Sequence, residues 1–169
     1  MYLAREVGRL AGVPGDRIGQ WARWGHIAAS VSGGDPHVYA WEDVAEALAV
    51  HELLERGVRL PDVRAAVERL GGSGRHPLST AGLEAVGLLP LDGHRPAAEL
   101  LRAGGWVAWK LGLRWIEVDP ARCGGKPCLR GRRLPVEDVA AAPDADWGLS
   151  AEQVAEAVRW WEEAERCAS

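Results

Sequence analysis

Phenylalanine is absent from the 169 residues, methionine occurs once, tyrosine and lysine twice each, and cysteine three times. The three cysteines, Cys123, Cys128 and Cys167, are an odd number, and the N-terminal MYLAREVGRL carries charge where an export signal would be apolar. A disulfide framework is therefore not expected, and the thiols read as reduced ones in a cytoplasm. No apolar run approaches the roughly 20 residues that span a bilayer, so no membrane association is expected. A basic excess is also missing: 20 Lys and Arg stand against 24 Asp and Glu, a formal charge of −4. That balance rules out a polycation that seeks nucleic acid indiscriminately, and any DNA contact must be local. Gly-x-Ser-x-Gly, His-Glu-x-x-His, a dinucleotide fingerprint and a recognisable Cys–His pair are all lacking, so neither catalytic residues nor a cofactor is expected.

What remains is globular. Hydrophobic residues make up 47% and charged residues 26% of the chain, values of an ordered soluble protein. Nine tryptophans carry most of the aromatic content, and arginine largely replaces lysine. Apolar spacing predicts a helix around Ala4–Ala11, with Leu3, Val7, Leu10 and Ala11 on one stripe, and a second over Gly15–Trp24 carrying Ile18 and Trp21. Gly12 suits the left-handed residue that ends a helix and Pro14 the start of the next, which is a helix-turn-helix pattern. From His26 to Ala40, β-branched residues around Ser32-Gly33-Gly34-Asp35-Pro36 read as a small hairpin, the place for a wing. Helices are predicted near Glu42–Arg56 and Pro61–Leu70.

Residues 71–105 read as a connector: Gly71-Gly72-Ser73-Gly74 is a breaker, with short helical signals at Leu83–Val86 and Ala97–Ala103. From Trp106 to Val118 the tryptophans and β-branched residues favour strands broken near Gly112, and a second hairpin is expected between Pro127 and Pro135, turning near Arg130-Gly131. Ser150 followed by Gln153 makes a capping box for a last helix, whose stripe is Val154, Ala157, Val158 and Trp161. On that register Trp160 points about a quarter-turn away and is a candidate interface residue. The fold class expected is mainly α with small β-hairpins: a winged helix-turn-helix at 1–70, the connector, and a small α+β domain at 106–169.

Residues 2–70 resemble the DNA-binding domain of MerR-type regulators. The resemblance rests on Tyr2–Ala11, Gly12-Val13-Pro14, Ile18, Trp21, Arg23, Gly25, Ile27, Tyr39, Glu42-Asp43-Val44, Gly57-Val58-Arg59-Leu60 and Asp62-Val63. It implies a reading helix at Gly15–Trp24 and a wing at Ser32–Tyr39, with Arg17, Gln20, Arg23, His37 and Tyr39 as the DNA-contacting candidates. The chain departs from the family at Gly19 (usually arginine), Gln20 (usually aromatic) and His37 (usually a wing arginine). These departures weaken phosphate contacts, which supply most sequence-independent affinity. A glycine-rich linker also stands where the family continues into a long dimerisation helix.

Residues 115–165 resemble a small bacterial family known as a domain of unknown function and grouped with VapB-type antitoxins. The resemblance rests on Ile116, Val118-Asp119-Pro120, Gly124-Gly125-Lys126-Pro127, Leu129-Arg130-Gly131, Arg133, Pro135-Val136, Leu149-Ser150, Val154, Ala157 and Trp160. It implies a PIN-type ribonuclease toxin as partner. The family usually has two helices after the hairpin separated by a tight turn; here only Val136–Ala142, a Pro143-Asp144-Ala145-Asp146 turn and one long helix are available, which leaves the second reading head out and casts this part as a dimerisation or toxin-binding module.

The candidate partner-binding residues are Lys126, Arg130, Arg132, Arg133 and Trp160, because arginine grips carboxylates or phosphates bidentately. Cys123 and Cys128 would under-coordinate a metal ion, and none is expected. His51 reads as a packed histidine; His26 and His37 border the wing, where phosphate contact and plain surface are both open. The expected function is an antitoxin that sequesters a PIN-type ribonuclease and, as a homodimer, autoregulates its own promoter by binding double-stranded DNA. The alternatives are a stand-alone transcriptional regulator and a protein-interaction module that has lost DNA binding.

Overall fold

Helix α1 (Ala4–Ala11) follows a two-residue strand, β1 (Tyr2–Leu3), and begins where the Glu6 carboxylate accepts the Leu3 N–H at 2.7 Å. The computed structural model describes residues 1–71, 87 and 95–169, so the helical signal at 83–86 lies outside the described residues. Gly12, at φ 71°, ends α1, and its N–H and that of Val13 both donate to the Gly8 carbonyl. The turn folds so tightly onto Gly8 that a Cβ there would stand 2.4 Å from the Val13 oxygen. This second glycine of the turn was not singled out in the sequence, although it fixes how α1 meets α2 (Gly15–Arg23).

The wing differs from a free-standing hairpin. Its return arm, β2 (Val38–Tyr39), pairs antiparallel with β1, Tyr2 opposite Tyr39 and Leu3 opposite Val38, and only the Ser32–Val38 bridge closes the loop itself. Helices α3 (Trp41–Glu55) and α4 (Leu60–Leu70) follow close to the predicted bounds.

The expected strand at 106–111 is instead helix. After α5 (Ala97–Arg102), α6 spans Gly105–Leu111 between Gly104 and Gly112, both left-handed. Trp106, Val107 and Ala108 are buried together while Trp109 and Lys110 are exposed. Three consecutive inward residues cannot alternate across a sheet, so burial overrides the β-propensity of the individual residues. Strand β3 (Ile116–Val118) then pairs antiparallel with β4 (Pro127–Leu129). The hairpin partner of Pro127–Leu129 is thus the upstream strand, with a single bridge, Cys128–Pro135, on the expected side. Helix α7 (Val136–Ala141) and α8 (Ala151–Ala168) complete the chain, and α8 starts at Ser150, whose hydroxyl accepts the Gln153 N–H as predicted.

One hydrophobic core runs through both ends of the chain, joining Val7, Leu10, Ile18 and Trp21 to Val107, Ile116, Leu129, Val136, Trp160 and Ala164. Helix α1 packs against α2 and α3 and also against α6 and α8. The described end of the expected connector belongs to this core, since Leu100 and Leu101 of α5 are buried in it. Polar links reinforce the junction. Tyr2 Oη donates to the Gly125 carbonyl at 3.0 Å, while Arg5 and Arg9 of α1 both grip Glu165 of α8, at 2.6 and 2.5 Å. Buried Glu156 of α8 accepts the backbone N–H groups of Arg114 and Trp115 at the entry to β3.

The closest approach is backbone against backbone. Gly105, at φ 75°, lies so near α1 that a Cβ would stand 2.3 Å from the Leu10 carbonyl oxygen. Gly105→Ala therefore meets both a disfavoured φ and a clash, and is expected to cost about 3 kcal/mol. Gly33→Ala on the wing, where a Cβ meets nothing within 4 Å, is expected to stay within about 0.5 kcal/mol. Urea denaturation of the two variants beside the parent checks both values.

Candidate nucleic-acid interface

Helix α2 is amphipathic in a useful way: Ile18 and Trp21 are buried, while Arg17 and Arg23 are exposed and Gln20 lies half-buried between them. Neither arginine has an ion-pair partner among the described residues. The bare position at Gly19 is partly compensated, because a guanidinium nitrogen of Arg23, one turn on, lies 3.5 Å from where a Cβ on Gly19 would stand. Trp24, just past the end of α2, is 52% exposed and prolongs the same edge. Sequence reasoning left it out; its i+7 spacing from Arg17 was the available signal.

The wing is held at its base by two buried carboxylates. Asp43 accepts the Ser30 N–H and hydroxyl and the Ala40 N–H at 2.7–2.8 Å, and Glu46 accepts the Ala28 N–H at 3.0 Å. The acidic count of residues 1–70 is thus misleading about their surface. Asp43, Glu46 and Glu52 are buried, Asp62 pairs with Arg59 and Glu68 with Arg64. The outward side of α2 keeps two cations without an ion-pair partner among the described residues, with the Asp16 carboxylate turned onto the Arg17 N–H.

Two wing candidates are corrected. Tyr39 is fully buried, pairs with Tyr2 across the strands, and is a core residue that DNA does not reach. Burial pushes its phenol pKa up, with Arg23 opposing and Asp43 adding to the rise. His26 is also buried and so makes no phosphate contact; burial and then the nearby Arg64 charge hold its pKa below the ordinary value. His37 stays half-exposed on the wing, its ring stacked 6.4 Å from that of Tyr39.

Of the partner-binding candidates, Trp160 is corrected as well. It is fully buried and its indole Nε1 donates to the Gly104 carbonyl at 2.8 Å, whereas Trp161 is the half-exposed neighbour. The register of α8 is therefore rotated from the predicted stripe, because α1 and α6 as well as α7 cover it. Lys126 is engaged by Glu137 at 2.5 Å. Arg130, Arg132 and Arg133 stand exposed without an ion-pair partner among the described residues. Their turn is stiffened by Glu117, which accepts the Gly131 N–H at 3.0 Å while pairing with Arg122 at 2.5 Å.

The order of strand, two helices joined by a tight turn, wing and two further helices is decisive beside one further observation. Residues 2–70 match the family model described as MerR HTH family regulatory protein. Residues 116–159 match a second one, described as Protein of unknown function (DUF433). No curated protein and no solved structure matches the chain. The exposed cations of α2 thus lie in the segment that matches the MerR model, and the arginines of the turn after β4 lie in the segment that matches the DUF433 model. No helix among the described residues is long and apolar enough to cross a membrane.

Cys128, in the segment that matches the DUF433 model, is a packing group. Cys128 is buried and donates to the Lys126 carbonyl at 3.4 Å; desolvation, then a hydrogen bond with Cys123, pushes its pKa up to about 12. A thiol so shifted is a poor metal ligand or nucleophile. His51 of α3 bonds the Ala11 carbonyl through Nδ1 and lies 4.4 Å from the Trp106 ring of α6. Burial lowers its pKa, against raising contributions from Ala11 and Glu55.

Both His26 and His51 thus titrate below the ordinary 6.5 in the folded chain. The unfolded chain binds these protons first, so their contribution to stability is complete above about pH 6.5 and is lost as pH falls toward their folded values. The free energy of unfolding is expected to drop between pH 7.5 and 5.5, with a smaller drop in the His51→Gln variant; urea titrations at the two pH values measure it.

Proposed function

We propose that the protein is a cytoplasmic DNA-binding transcriptional regulator rather than an enzyme. The reading is carried by α2: its apolar face is locked into the core while Arg17, Arg23 and Gln20 are presented outward, in a segment matching a family of HTH regulators. In this reading α2 enters the major groove and the wing approaches the backbone, with a homodimer placing two such helices on half-sites one helical turn apart. With no wing arginine, Arg17 and Arg23 carry the greater part of the phosphate or base contact. Each alanine substitution at these positions is expected to weaken binding about tenfold and to flatten the salt dependence by about one contact. Fluorescence anisotropy on the protein's own promoter fragment, from 50 to 200 mM salt, tests the assignment. Affinity that does not change in either variant, or the lack of any specific site, would refute it and favour a protein-interaction module.

The finer reading is an antitoxin that also represses its own gene. Its support is the sequence resemblance of residues 115–165 to a family grouped with VapB-type antitoxins, together with the rigid turn carrying Arg130, Arg132 and Arg133, three guanidinium groups without an ion-pair partner among the described residues. Planar cations free of internal partners suit a carboxylate-rich surface such as the metal-binding centre of a PIN-type ribonuclease. Replacing the three arginines by alanine is expected to abolish inhibition of a co-purifying ribonuclease while leaving DNA affinity within about twofold. Inhibition that survives the triple substitution would remove the arginines from this role. Purification without any partner would favour a stand-alone regulator.

A further inference from the structure

Between the first turns of the MerR-type segment and the DUF433 hairpin, side chains leave space unfilled. The cavity measures about 130 Å³, and its apolar lining includes Tyr2, Leu10, Pro127, Trp160 and Trp161. We propose that it is a binding site for an uncharged single-ring aromatic molecule bearing one hydroxyl or carboxamide group. Size comes first. Protein interiors rarely keep voids larger than a water molecule, and an apolar cavity of roughly 150 Å³ accepts one benzene ring. Indole and proline surfaces offer flat apolar contact to such a ring, with offset or edge-on stacking available on Trp161.

Charge then narrows the class. Four ionisable side chains border the space, Glu6, Arg9, Lys126 and Glu137, and Met1 with its α-ammonium group lines it too. Glu6 is spent on the Leu3 N–H, and Arg9 on Glu165 with its guanidinium 4.8 Å above the Trp161 ring. The remaining two form the Lys126–Glu137 pair at 2.5 Å, half-exposed at the edge. A carboxylate or an ammonium ion would gain one member of this pair and face the like charge of the other. A hydroxyl or amide satisfies both, accepting from Lys126 and donating to Glu137. Because both segments wall the cavity, occupancy ties them together and raises the melting temperature of the chain by mass action. The proposal does not depend on DNA binding, and its test contains no DNA.

The test titrates phenol and benzamide into the purified full chain by calorimetry and thermal melting, with benzoate, benzylammonium and cyclohexanol as comparators. Saturable binding of one molecule per chain is expected, with Kd on the order of 1 mM for so small a ligand, a raised Tm, and comparators at least tenfold weaker. Trp161→Ala should lose at least tenfold in phenol affinity. Lys126→Met, at a half-exposed position away from the core, leaves Glu137 uncompensated and should shift the preference toward benzylammonium at least threefold. No saturable binding up to about 50 mM, binding of benzoate or benzylammonium by the parent as tight as that of phenol, or affinities unmoved by both substitutions would each overturn the proposal.

Discussion

At Gly105 the chain comes so near the Leu10 carbonyl that no side chain fits between them, and the joining of the two halves depends on that approach. It lets α6 lie directly on α1, which brings Trp106 over the Gly12 turn and places the Gly104 carbonyl where the buried indole of Trp160 can donate to it. The glycine at position 8 does the same on the other flank, admitting the Val13 carbonyl. Helix α1 is only eight residues long, too short to be stable alone. It persists because the helix-turn-helix and the C-terminal segment both bury it.

That arrangement bears on function. A reading helix is useful only if its position is fixed relative to a partner copy, and α2 is fixed by α1, which in turn is held by α8 through Arg5, Arg9 and Glu165. Whatever engages the DUF433 segment acts on a body that shares its core with the helix-turn-helix. The acidic overall charge is reconciled with a nucleic-acid face in the same way. Carboxylates are drawn inward to hold the backbone, Asp43 and Glu46 at the wing base and Glu156 at β3, while exposed guanidinium groups remain outside on α2 and on the turn after β4.

Local signals in the sequence located most elements. Gly12 and Pro14 marked the first turn, Pro61 the start of α4, and Ser150 with Gln153 the start of α8, because each acts through its own neighbours in the chain. Misread features were those decided by distant packing. Trp106–Leu111 looked like strand because indoles and valine favour strands, yet one side of this segment lies on α1 and a helix buries it better. The Trp160–Trp161 register was misjudged because α8 is covered from more than one direction, so no single stripe describes it. In the candidate site, Arg17, Gln20 and Arg23 came from the resemblance to MerR-type regulators, while helical periodicity marked only the buried stripe of Ile18 and Trp21. The burial of Tyr39 was not legible, because it follows from β2 crossing to the N-terminal strand, a pairing that no local pattern announces.

The claim that one core unites the two matched segments is tested most directly by native-state hydrogen exchange on the full chain. Amides of α1, at Val7 and Leu10, and of α8, at Ala157 and Ala164, should exchange with one common free energy and converge on the same global unfolding as urea is added. A C-terminal segment that opened at lower free energy, with α1 still protected, would contradict it and leave two independently folded units.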